Sequence, residues 1–214
     1  MTCGGYSPHV NRINGGDNVT KLNDLFTINS GVVFKRLEAP PGAPGHKYKI
    51  ITLKSINEFG YIDIEYFDNF NSKKEIAKKH IAKVGDIIVR LSNPYTAVYI
   101  DEESQGAVIS SLFAILRPKG NQVLSEYASI FLNSDYMKRQ YHKDASGSAL
   151  QMIKTSSLKE YEVIIPTKEK QKAIIEISNL SIRELHLMER LLEQKQLYNK
   201  GIIQELIKGE GELG

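Results

Sequence analysis

The sequence predicts an α+β fold: a mainly β domain with a few short helices, followed by one long, coiled-coil-like C-terminal helix. Three observations carry this expectation. From Val19 to Leu116, short β-branched or aromatic runs alternate with turn residues. After Pro118, apolar residues recur at three- and four-residue spacing. From Thr167 to about Lys208 the chain is rich in Glu, Lys, Gln, Leu and Ile, all strong helix formers apart from Ile.

Residues 1–19 are rich in Gly and Asn, with Ser7 among them, and read as an irregular leader. The expected strands are Leu25–Ile28, Tyr48–Thr52, Tyr61–Tyr66, Ile87–Arg90, Ala97–Ile100 and Leu112–Leu116. Between the first two, LEAPPGAPGHK is a proline-rich loop. Ser72–Lys83 reads as one helix ending before the Gly85-Asp86 turn. The run from Gly85 to Pro118 reads as a compact meander that displays one polar loop, Ser92–Tyr95. Leu124–Asn133 and Ser134–Lys143 read as short helices, and Glu162–Ile165 as the last strand before Pro166. The domain is thus expected over 20–166, the long helix over 167–208 and a tail over 209–214.

Thr167 suits the N-cap of that helix, with Lys170 where a full capping box would place Glu or Gln. A helix of ~40 residues is ~60 Å long, about twice the span of a small domain. Its apolar stripe runs from Ile174 and Ile177 through Leu180, Leu185 and Met188 to Leu191 and Leu192. It resumes at Tyr198, Ile202 and Leu206 after an interruption at Gln194-Lys195. One small domain does not cover such a stripe, so it asks for a partner helix. The other arrangement is a hairpin broken at Gly201.

Composition narrows the function classes. A hydrophobic fraction of 41% and a charged fraction of 25% describe an ordinary globular chain, one domain or one domain plus an extension. No apolar run approaches the roughly 20 residues that cross a bilayer. The N-terminus lacks a signal-peptide pattern, so a cytoplasmic location is expected. Cys3 alone excludes an internal disulfide and a cysteine-rich zinc site, and it is given no role. His9, His46, His80, His142 and His186 fall in separate segments, and GxSxG, HExxH and P-loop motifs are all missing. Asp63 and Glu65 share a spacing, but Phe67 stands where a nuclease-like cluster needs Lys, so they read as solvated acids.

The net charge of +3 matters only if positive charge gathers on one surface. Lys35, Arg36, Lys47, Lys49 and Lys54 flank the proline loop. Lys73, Lys74, Lys78, Lys79, His80 and Lys83 crowd one segment. Lys138, Arg139, His142 and Lys143 precede the loop SGSALQMI. Each group alone resembles a solvated face. Together, beside loops carrying Asn, Ser, Gln and Tyr, they suit phosphate contacts and base-edge reading. Tyr48, Asn93, Tyr95 and Gln151 are the candidates for base contact, although Tyr95 also suits a Pro-Tyr turn packed on the core.

Several segments in order resemble the target-recognition domain of specificity subunits from type I restriction–modification systems. They are KLNDLFTINSG, GDIIVRLS, SSLFAILRPKG, SGSALQMI, SLKEYEVIIPTKEKQKAI and LYNKGIIQELIKG, spanning about residues 20 to 208. The chain departs from the family pattern at Thr167 and at Lys170-Gln171, where a second proline and a Glu-Gln pair are usual. It also holds one recognition domain and one helix where full-length subunits hold two of each.

The resemblance implies a half-subunit, or a fragment, that binds half of a split double-stranded DNA target without catalysing anything. Arg90, Ser92 and Asn93 would lie on the DNA side, with Ser146, Gly147, Ser148, Gln151 and Lys154. Gly147 and the serines would let backbone approach phosphate closely. The helix would set the spacing and pair with a second copy or another half-subunit through Ile174, Ile177, Leu185, Met188, Leu192, Ile202 and Leu206. Methyltransferase subunits, bringing S-adenosylmethionine, and a restriction subunit would dock on it, with no cofactor on this chain. A protein–protein module whose helix only scaffolds partners remains the other reading.

Overall fold

The computed structural model describes residues 18–57, 60–146 and 151–209. Most of the leader with Cys3, the loop residues Gly147 and Ser148, and tail residues 210–214 lie outside the described residues. Two compact units are present, one ending at Ile175 and one beginning at Glu176.

The first unit is built on a four-stranded antiparallel sheet in the order β2 (Phe26–Ser30), β8 (Phe113–Pro118), β5 (Ile87–Arg90), β6 (Ala97–Tyr99). Alternate side chains of a strand point to opposite faces, and here both faces are buried. Ile87, Val89, Ala114 and Leu116 enter one core, and Ile88, Phe113 and Ile115 enter another. Hence Ile87–Val89 reads as an unbroken apolar run. The first core is completed by α1 (Leu22–Leu25), α2 (Ser125–Leu132), α3 (Asp135–Ala145) and α4 (Thr155–Glu160). The second face is covered by residues of a smaller sheet, β4 (Asp68–Ser72), β3 (His46–Ile51) and β7 (Val108–Ile109), with β7 parallel to β3.

β1 (Asn18–Lys21) pairs antiparallel with β9 (Glu162–Ile165), so the two ends of the domain close on each other. Gly31 sits where the chain leaves β2 for that smaller sheet. A Cβ there would lie 2.1 Å from the Ser110 carbonyl, so only glycine fits.

The Gly85-Asp86 turn has a structural purpose. Gly85 adopts φ +89°, and Asp86 is buried with Oδ1 accepting from Arg117 Nε at 2.8 Å. Its Oδ2 accepts from Arg117 Nη2 at 2.6 Å and from the Lys83 amide at 3.0 Å. The carboxylate thus welds the start of β5 to β8, and this bond leads the effects that raise the Arg117 pKa.

The expected elements are corrected at four places. Tyr61–Tyr66 is not a strand: Ile62 makes a single bridge to Ile56, and Ile64–Tyr66 is a 3-10 turn capped by Asp63. Ser72–Lys83 is not a helix. It has helix formers, but only Ile76, Ala82 and Ser72 are buried, and β4 runs into Ser72 before a lone 3-10 turn at Lys78–His80. Tertiary pairing overrides propensity there. The 85–118 run is not a simple meander, because β7 leaves for the smaller sheet and β8 returns beside β5 rather than β6. Finally, α4 lies between the loop SGSALQMI and the strand Glu162–Ile165, where no helix was expected, and is held by buried Leu158.

The long helix, α5, covers Lys168–Gly209 and passes through Gly201 unbroken, so the hairpin does not form. Thr167 caps it, its Oγ1 accepting from the Lys170 amide at 3.4 Å. The first turns of α5 belong to the first unit. Ile174, expected on the partner-seeking stripe, instead packs with Ile175 against the domain core. From Glu176 onward the helix is about 50 Å long and forms the second unit. Ile177, Met188, Leu192, Ile202 and Leu206 are exposed along it, and Leu185 is half-exposed. Leu180, Leu187, Met188 and Leu191 line one apolar surface with Arg183 and Glu184 at its edge. Leu187 was not part of the expected stripe. No helix among the described residues is long and apolar enough to cross a membrane.

Candidate nucleic-acid interface

The β5–β6 turn, Leu91–Thr96, is the centre of one polar surface. Its Asn93-Pro94 peptide is cis, and Tyr95 follows with φ +56° and its amide donating to the Ser92 carbonyl at 2.8 Å. Two side chains brace the turn. Arg90 Nε donates to Ser92 Oγ at 3.2 Å, and Lys138 Nζ donates to the Pro94 carbonyl. Asn133 brackets the start of β6: its Nδ2 donates to the Ala97 carbonyl at 2.7 Å and its Oδ1 accepts from the Ala97 amide at 2.8 Å.

α3 sets the next wall. Ser134 Oγ accepts from the Met137 amide at its N-terminus, and Met137, Tyr141 and Ala145 face inward at four-residue spacing. That rotation leaves Arg139 and Lys143 exposed and Lys138 half-buried over the turn. Burial, followed by the Arg90 guanidinium, pulls the Lys138 pKa below the ordinary lysine value.

The segment after the loop is stitched to the same turn. Ser92 bridges Met152 in antiparallel sense, and the Ile153 amide donates to the Leu91 carbonyl at 2.9 Å. Tyr95 OH donates to the Gln151 carbonyl at 2.9 Å. Asn93, Gln151, Lys154 and Ser146 are exposed.

Tyr95 therefore corrects the expectation of base contact. Its exposure is 0%. Its ring lies 5.6 Å from that of Tyr141 and edge-on to His142 at 5.2 Å. The core packing weighed from the sequence is what the structure has. The Tyr141 ring in turn lies tilted, 5.5 Å from that of Tyr161, whose hydroxyl donates to Asp144 at 2.6 Å. Burial, then the Asp144 carboxylate, holds the Tyr161 phenol far above its usual pKa.

The smaller sheet carries the second polar surface. Lys47 and Lys49 are exposed on β3, opposite Asn71 and Asn69 of β4, while Tyr48, Ile50 and Phe70 turn to the third core. Tyr48 is half-buried and its hydroxyl accepts from the Ile76 amide at 3.1 Å, so that oxygen is already engaged. Lys35 and Arg36 lie exposed on the turn Phe34–Arg36, and the next residue, Leu37, accepts from the Lys73 amide at 2.9 Å. Lys73 and Lys74 thereby join this group, which the sequence placed in a separate segment. Lys54 is exposed past the end of β3, in the turn Leu53–Ser55. Asn69 was missed altogether, because its place opposite Lys49 depends on strand register and leaves no local signal.

Gln171 joins the domain to α5. It is 1% exposed, its Oε1 accepts from the Leu124 amide at 2.8 Å, and its Nε2 donates to the Pro166 carbonyl at 2.8 Å.

A family model described as the type I restriction modification DNA specificity domain matches residues 16–194. No sequence among the curated proteins matches the chain. Among solved structures, an HsdS subunit from Thermoanaerobacter tengcongensis is similar with a TM-score of 0.64 and 13% identity, over 88% of this chain and 47% of that one. A chain from a structure described as underlying complex assembly and conformational transition of the type I R-M system has a TM-score of 0.57 and 15% identity, over 87% and 46%. A type I restriction–modification S subunit from M. genitalium has a TM-score of 0.52 and 13% identity, over 85% and 43%. The chain thus spans less than half the length of each of these structures, which share its fold.

Proposed function

The chain belongs to the type I restriction modification DNA specificity domain family, and on that premise we propose that it is a non-catalytic, sequence-specific DNA-binding subunit. It directs a restriction–modification methyltransferase and nuclease to one half of a bipartite DNA target. One observation carries the reading beyond the family. Exposed Asn93 and Gln151, whose carboxamides match base edges, lie on the turn that Arg90 and Lys138 brace and on the segment stitched to it, beside exposed Lys154, whose charge suits a phosphate.

The second unit supports a spacer role. Its exposed apolar residues suit burial against another domain-plus-helix unit, either a second copy or a different half. Each similar structure is more than twice this chain's matched share, as two such units in one chain would be. Methyltransferase and restriction subunits would assemble on the pair in the cytoplasm, and S-adenosylmethionine would be carried by the methyltransferase.

Selection from random-sequence DNA duplexes tests the reading. The full chain, alone and with its methyltransferase subunit, should enrich one short motif, arranged as two spaced copies when the chain is paired. Enrichment of nothing over input in both settings rejects it and favours a scaffold that does not read DNA.

A further inference from the structure

Among the described residues, the non-glycine positions with left-handed φ are Tyr95 at +56° and Gln151 at +47°. Side chains disfavour that conformation, and such residues persist where surrounding bonds over-determine them, which is often at functional sites. These two lie in segments far apart in sequence, yet one is bonded to the other through Tyr95 OH and the Gln151 carbonyl at 2.9 Å. The antiparallel bridge Ser92–Met152 and the Ile153-to-Leu91 bond set the register between the segments. In that register Asn93 stands opposite Gln151, and both side chains are exposed while the Tyr95 ring is fully buried.

Resting on the DNA-reading function proposed above, we infer that Tyr95 is a positioning residue for base recognition. Its hydroxyl holds the Gln151 backbone so that Gln151 and Asn93 act as one paired-carboxamide reader of adenine edges. The chemistry follows from the two amides. Each offers a donor and an acceptor that match adenine N6 and N7 in the major groove. A Gln on a backbone free to move would lose that match to its own freedom; fixing the Gln151 carbonyl removes the backbone's share of it and sets the point from which the side chain reaches.

The test uses the motif selected by the unmodified full chain, with each base pair replaced in turn and relative affinities measured. Gln151→Ala, at an exposed position, should lower discrimination about tenfold at one or two adjacent A·T pairs. Tyr95→Phe should lower it at those same pairs, leave the other positions within about twofold, and add nothing when combined with Gln151→Ala. A role in folding alone would weaken all positions alike.

The inference is overturned if Tyr95→Phe leaves the profile unchanged, weakens every position equally, or acts at pairs that Gln151→Ala does not touch. Failure of Tyr95→Phe to fold also overturns it, since the packed ring is kept and only the positioning hydroxyl is lost. An unmodified chain that selects no motif instead rejects DNA reading itself, and this inference with it.

Discussion

Gln171 on the first turns of α5 accepts a hydrogen bond from the Leu124 amide at 2.8 Å and donates one to the Pro166 carbonyl at 2.8 Å. One buried carboxamide thus ties the start of the long helix to the residue before α2 and to the proline that ends β9. The Lys170-Gln171 pair, read from the sequence as a departure from the family pattern, contains the residue that makes the joint.

Gln171→Ala leaves two backbone groups without that partner in a buried place. The expected loss is about 2 kcal/mol. For a domain of this size that is a fall of roughly 4–8 °C in the melting temperature, readable by calorimetry. Gln171→Glu should cost at least as much, because a carboxylate would face the Pro166 carbonyl.

Asp86→Ala removes both oxygens from Arg117 and the cap from the Lys83 amide. Breaking such a pair from one side costs about 3 kcal/mol, and denaturant titration should show a lower midpoint with an unchanged slope. Reversing the pair, Asp86→Arg with Arg117→Asp, should not restore the loss, since Lys83 would still lack its acceptor.

What the sequence made legible follows from where the decisive contacts lie. Ile87–Arg90 and Glu162–Ile165 were read to the residue, because a short apolar run between turn residues specifies its own ends. β1 was invisible: NVTK has no apolar pattern and is a strand only through pairing with β9 at the other end of the domain. At the candidate site, residue types were legible and neighbours were not. Asn93 and Gln151 could be singled out as amides, but their adjacency depends on the Ser92–Met152 bridge. Residue type likewise could not separate a Tyr95 that reads bases from one that packs in the core.

His80 supplies a pH dependence. Its Nδ1 lies 3.0 Å from the Ser30 carbonyl, and burial, with a smaller push from Lys79, lowers its pKa against the opposing pull of that carbonyl. A lowered folded pKa means the unfolded chain binds the proton more readily. The stability it contributes is complete above the ordinary histidine value of about 6.5 and is lost as pH falls below it. Melting temperature should therefore drop between pH 7 and pH 5, and His80→Gln should make that drop shallower.

Association through α5 is tested by Met188→Gln, Leu191→Gln and Leu192→Gln together. If these side chains are covered by a partner helix, dimer affinity should fall about tenfold for each residue replaced. Light scattering should then report a monomer at concentrations where the unmodified chain is a dimer, with the melting of the first unit unchanged. An unmodified chain that is monomeric at high concentration contradicts the pairing.

The most direct measurement is equilibrium binding of the chain, assembled with its methyltransferase subunit, to its selected duplex and to scrambled duplexes across a salt series. The account predicts tight preference for the selected duplex and an affinity that falls linearly in log–log salt, with a slope near 0.9 per phosphate contacted. Lys47→Ala with Lys49→Ala should reduce that slope by about 2 while leaving the preference intact, whereas Asn93→Ala should erode the preference and leave the slope. No binding at low salt, or equal affinity for every duplex, would contradict the claim that this chain reads DNA.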